Sequence, residues 1–143
     1  MTAEQKRLVQ ETFQLVVPIR EQAAAMFYDR LFVLDPSTRP LFKGDMKRQG
    51  ALLMAMIATA VNGLNRLDEI VPAVQDLGRR HATYGVRNEH YATVGTALLW
   101  TLEQGLGAKW TPEVQEAWIA CYTLLANTMQ EAAGARGMKA SAS

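Results

Sequence analysis

The chain has 143 residues, 49% of them hydrophobic, enough for one domain with a packed core and an enclosed ligand site. Fifteen basic and fourteen acidic side chains nearly cancel, which excludes the basic field of a nucleic-acid binder and an acidic tail. The single cysteine, Cys121, leaves no internal disulfide. The polar start MTAEQKRLVQ is no secretory signal, and the longest mainly apolar run, Ala51 to Val61, is about half a membrane span, so a cytoplasmic protein with no membrane partner is expected.

The dominant period is helical, and strand signals are poor. Thr2, with Gln5 three residues on, caps a first helix whose inner positions are Leu8, Val9, Thr12, Phe13 and Val16. Pro18 turns the chain. A second helix is predicted from about Ile19 to Leu34, with Ala24, Phe27, Tyr28, Leu31 and Phe32 on its buried stripe. Asp35-Pro36 joins a capping carboxylate to a proline whose missing N–H costs nothing in a first turn, and opens a short helix ending near Phe42. Lys43 to Lys47 reads as a loop.

A long apolar helix then spans about Arg48 to Leu64, with Gln49, Leu53, Met56 or Ile57, and Ala60 along one face. Pro72 is expected to start the next helix, which ends after His81 with Gly85 as its stop. Another runs from about Asn88 to Leu106, lined inside by Val94, Leu98 and Leu102 and closed by Gly105 and Gly107. Thr111-Pro112 repeats the cap-plus-proline start, and Val114, Trp118, Cys121, Leu125 and Met129 follow. Residues 1–133 form the expected domain, and 134–143, small and polar, a flexible C-terminal tail. Periodicity alone supports an all-α globular domain. Uneven helix lengths and short corner helices argue against a solenoid or a simple up-down bundle.

Only two histidines are present, His81 and His90, and there is no CxxC, HExxH or phosphate-binding glycine loop. A lone histidine near a helix end is usually structural or solvent-facing. The residues read together carry more. Leu77-Gly78-Arg79-Arg80-His81-Ala82-Thr83-Tyr84-Gly85-Val86 resembles the proximal haem segment of bacterial globins and of neuroglobin. Glu89-His90-Tyr91-Ala92-Thr93-Val94-Gly95 continues the resemblance as in flavohaemoglobins, and Phe27-Tyr28-Asp29-Arg30-Leu31-Phe32 is similar to their distal tyrosine helix. Pro36 followed six residues later by Phe42, then Trp110-Thr111-Pro112 and Ala117-Trp118, complete an ordered set from about residue 2 to 130.

The resemblance to single-domain bacterial globins of the flavohaemoglobin and neuroglobin branch implies a three-over-three helical sandwich around haem b, with no flavin and nicotinamide reductase domain in this length. It implies His81 as the axial ligand, since haem iron takes a neutral imidazole in globins. The other ring nitrogen is expected to donate to a carbonyl one turn back, that of Leu77. Gln49, 32 residues before His81, matches the distal gate, Leu53 the apolar distal wall, and Tyr28 the distal tyrosine. A core tyrosine and a solvent-facing glutamine are the alternatives at those two positions. Phe42 is expected to stack on the porphyrin, with Phe32, Val86 and Val94 as apolar wall. Arg80 matches a position that pairs with a haem propionate, a solvated arginine being the alternative. His90 falls off the ligand position, and Met26, Met54, Met56 and Met129 read as core filler.

Tyr91 matches the tyrosine that flavohaemoglobins couple to the proximal histidine. Their glutamate partner aligns with Ala133, and Glu131 sits two residues earlier, about 200° around a helix. The implied function is reversible binding of O2, nitric oxide or carbon monoxide. Hydrogen bonds from Tyr28 and Gln49 to O2 polarised by the iron would each contribute about 1–3 kcal/mol in a dry pocket, a factor of roughly 10 to 100 in affinity. Nitric oxide dioxygenation with an external reductase is the implied chemistry. A storage or scavenging protein and a redox or gas sensor are the alternatives, in a monomer or weak homodimer.

Overall fold

The structure is a computed structural model that describes residues 1–42 and 44–142, with side chains as far as residue 134. Among the described residues the chain forms six α-helices and no strand: α1 (Ala3–Val16), α2 (Arg20–Leu34), α3 (Met46–Asn62), α4 (Leu67–Thr83), α5 (Asn88–Leu106) and α6 (Pro112–Ala142). Short 3-10 turns at Val17–Ile19, Pro36–Leu41, Leu64–Arg66 and Gly107–Lys109 make the corners.

Local chemistry sets most of the boundaries. Thr2 Oγ1 accepts from the Gln5 N–H at 3.0 Å while Gln5 Oε1 accepts from the Thr2 N–H at 2.9 Å, a reciprocal cap that starts α1. Asp35 and Asp45 each accept from the backbone two residues on, opening the Pro36–Leu41 turn and α3. Thr111 Oγ1 accepts from the Val114 N–H at 3.2 Å ahead of Pro112.

Two boundaries differ from the sequence-based expectation: α3 starts at Met46, inside the expected Lys43–Lys47 loop, because Asp45 caps it, and α4 starts ahead of Pro72. Pro72 does not begin α4; the helix starts at Leu67 and carries Pro72 in its second turn. The acidic pair Asp68 and Glu69 occupies the first turn, where it favours the positive end of the helix dipole. That supplies the start signal, and Pro72 removes just one N–H close to it. Downstream, α6 is continuous across Gly134; residues 135–143, most of the expected tail, lie outside the fully described residues.

The helices pack as a three-over-three sandwich, with α1, α3 and α4 over α2, α5 and α6. Val9, Phe13, Val16, Phe27, Leu31, Leu102 and Trp118 form the centre of the core. Two features matter for the site. α3 closes tightly on α2, because a Cβ at Gly50 would come within 2.9 Å of the Ala24 Cβ. By contrast, α3, which carries Gln49, and α4, which carries His81, approach each other closely at few points. No single helix among the described residues is long and apolar enough to cross a membrane.

Candidate functional site: a histidine and an aromatic cluster

His81 sits in the last turn of α4, half-buried. Its Nδ1 lies 2.8 Å from the Leu77 carbonyl oxygen one turn earlier, the partner expected from the sequence. Nδ1 carries the proton in that pair, because a carbonyl only accepts. Nε2 is therefore a bare lone pair, and no protein group among the described residues engages it. Burial pulls the imidazole below its ordinary pKa; the Leu77 carbonyl acts the other way, and the Arg80 charge adds to the lowering. The ring is thus neutral near pH 7, the state a metal-ligating histidine needs.

Just beyond His81 the chain reverses. Gly85 adopts φ +94°, a left-handed value that only glycine reaches cheaply, and the Val86 N–H donates to the His81 carbonyl at 3.0 Å. Val86 is half-buried in this turn.

Tyr28, Phe32 and Phe42 meet in one aromatic cluster. The Tyr28 and Phe42 rings pack edge-to-face at 5.1 Å, the Phe32 and Phe42 rings lie at 5.9 Å, and those of Tyr28 and Phe32 at 6.1 Å. Tyr28 is 95% shielded from solvent, yet its hydroxyl makes no backbone hydrogen bond among the described residues. Burial raises its pKa, and a hydrogen-bonding contact from Gln49 opposes that rise. Gln49 is half-buried. The close crossing at Gly50 and Ala24 brings its stretch of α3 onto α2. Gln49 adjoins Gly50 in sequence, and Tyr28 lies one turn beyond Ala24. Periodicity marks Ala24 only as core, and the signal for this crossing is Gly50, a glycine inside a helix whose use is close approach.

The remaining candidates fall in different surroundings. Leu53 and Val94 pack against the core and stay half-buried, as do Phe32 and Phe42. Tyr91 lies on the first turn of α5, half-buried, and its carbonyl accepts a 2.6 Å hydrogen bond from Tyr122, a partner the sequence did not suggest. Arg80 is exposed and pairs with Asp76 at 3.2 Å, one turn back on α4. Glu131 is exposed on α6. His90 is buried, with Nδ1 accepting from the Arg87 N–H at 2.9 Å, so it caps α5 and is not free to bind a ligand.

These residues fit a haem. Among the described residues no group of three or more His, Cys, Asp or Glu comes together, so a bare ion has no donor set. A single neutral imidazole suits a cofactor that brings its own four nitrogens. The fold leaves the large apolar side chains of Phe32, Phe42, Leu53 and Val94 half-covered, and α4 buries only Gly78 completely.

The globin family model matches residues 25–129. The chain belongs to the globin family. This globin is 32% identical over 125 residues to a flavohemoprotein of Bacillus subtilis, covering 82% of the chain and 31% of that relative. It is 30% identical over 132 residues to a flavohemoprotein of Bordetella parapertussis, covering 90% of the chain and 33% of that relative. The globin thus spans about a third of the length of these curated relatives. Among solved structures it resembles an engineered carbene transferase from Rhodothermus marinus, with TM-score 0.87, 22% identity and coverage of 100% and 99% of the two chains. It also resembles a hexacoordinated haem protein from a tardigrade, with TM-score 0.84, 16% identity and coverage of 93% and 95%. Both likenesses establish the shared fold.

Proposed function

We propose that this globin binds one haem b through His81 Nε2 and holds O2, nitric oxide or carbon monoxide beside Tyr28 and Gln49, in the service of nitric oxide detoxification. The observation that carries the reading is the His81 arrangement. Nδ1 is fixed on the Leu77 carbonyl at 2.8 Å, which leaves Nε2 unprotonated and able to take a ligand. When bound, haem supplies a redox-active iron with one coordination position for a diatomic ligand. The protein supplies a fixed tautomer on one side and two hydrogen-bond donors on the other. Phe32, Phe42, Leu53, Val86 and Val94 supply an apolar surround that keeps water from competing with those donors.

The net chemistry we infer combines nitric oxide, O2 and one electron to give nitrate. The electron comes from a flavin-type reductase, in cis or as a separate cytoplasmic partner. Support comes from the flavohemoprotein relatives and from the Rhodothermus fold relative, a candidate nitric oxide dioxygenase.

Purified protein should show a Soret band, and His81→Ala should lose or markedly change it. Retention of an unchanged band in that variant overturns the axial assignment. Mixing the oxygenated protein with nitric oxide should then form nitrate rapidly. Slow or absent nitrate formation would leave storage or scavenging as the function.

A further inference from the structure

Gly78 lies one turn before His81 and is the single fully buried residue of α4. A Cβ built there would stand 2.6 Å from the Met129 Cα and 2.7 Å from the Met129 carbonyl carbon, both on α6. Carbon atoms in contact settle at about 3.5–4.0 Å. At Gly50 and Gly63 the nearest atoms belong to side chains, but the Met129 atoms are main chain and cannot rotate aside. The two helices therefore rest backbone on backbone at this crossing.

Nearer the start of α4 the same seam is less tight: Val71 and Val74 of α4 and Leu124, Leu125 and Thr128 of α6 line an open pocket of about 40 Å³. On its other side α4 approaches α3 closely at few points. The Gly78–Met129 crossing is thus the tightest backbone approach described for α4 near His81.

We propose that Gly78 is a positioning residue for His81. By letting α4 rest directly on α6, it sets how far Nε2 stands from α6. The proposal rests on the haem reading above. A methyl group at this position is relieved by moving α4 about 1 Å away from α6. Leu77 and His81 share the displaced turn, so their 2.8 Å hydrogen bond travels with it. The imidazole keeps its orientation and changes its depth.

The experiment compares Gly78→Ala with wild type. At a helix position with open space this change stabilises, because alanine has the higher helix propensity. Here the melting midpoint should fall, with or without haem; a raised midpoint overturns the crossing. In the ferrous, ligand-free holoprotein the resonance Raman band of the iron–imidazole stretch should shift, and an unshifted band overturns the positioning role. Should Gly78→Ala leave no soluble protein, Val74→Ala loosens the less tight part of the seam and spares the crossing. Its midpoint should fall while its band stays at the wild-type position. A moved band in Val74→Ala means that groove packing sets His81, and the proposal fails. The haem reading itself stands or falls on the wild-type spectrum and His81→Ala, so the two failures are distinguishable.

Discussion

The indole N–H of Trp118 donates to Thr12 Oγ1 at 2.9 Å, a buried hydrogen bond that ties the last helix to the first across 106 residues. Thr12 Oγ1 also donates to the Leu8 carbonyl at 2.7 Å, so one hydroxyl serves two partners. Replacing it with the isosteric Thr12→Val keeps the volume and orphans the indole N–H. The expected loss is about 1–3 kcal/mol, read as a shift of the urea midpoint with unchanged m-value. An unshifted midpoint would mean that the indole finds water or another acceptor.

Tyr28→Phe keeps the ring that packs on Phe42 at 5.1 Å and removes only the hydroxyl. Under the proposed function the O2 dissociation rate should rise at least about tenfold, for the loss of one strong hydrogen bond. Flash photolysis or stopped-flow displacement by carbon monoxide measures it. Carbon monoxide is less polar than O2, and its own release should change less.

The pH dependence of the haem-free protein follows from His81. Burial holds its folded pKa below the ordinary value, so between the two values the unfolded chain binds more protons than the folded one. Stability therefore rises with pH across that window and falls as pH drops below about 6.5, the usual imidazole pKa. The Glu4 and Asp35 carboxyls are held below their ordinary values by Arg7 and Ser37, so they titrate below this window. Denaturant titrations of wild type and His81→Ala at pH 5.5 and 7.5 separate the term. An equal pH dependence in both would remove His81 as its source.

Cys121 lies in the core, and burial pushes its thiol up to about 12. The thiolate is the reactive species, so the native protein should resist Ellman's reagent at pH 8 and react fully once unfolded. Rapid labelling under native conditions would mean that α6 opens readily from α1 and α5.

Much of this architecture is legible in the sequence because its signals are local. The Thr2–Gln5 cap, the Asp35-Pro36 and Thr111-Pro112 starts, and the Gly85 stop each need only a few neighbouring residues. The hydrogen bond between His81 and Leu77 is also local, since residues four apart on a helix lie one above the other. Pro72 misled for the same reason: proline suits a first turn, but the acidic pair just before it had already started the helix. The site residues came as a set from the resemblance, since nothing in the spacing of Tyr28, Gln49 and His81 alone selects them.

By itself the sequence determined an all-helical domain, its breaks, the tautomer of His81 and the core face of each amphipathic helix. These depend on φ and ψ preferences, capping and period, which act within a turn or two. The fold alone decided that α3 crosses α2 at Gly50 and Ala24, that Trp118 bonds to Thr12, that His90 caps α5, and that α4 meets α6 at a bare backbone. Each of those joins groups brought together by helix crossings, and a crossing is set by the shapes of two surfaces at once, which neither segment carries alone.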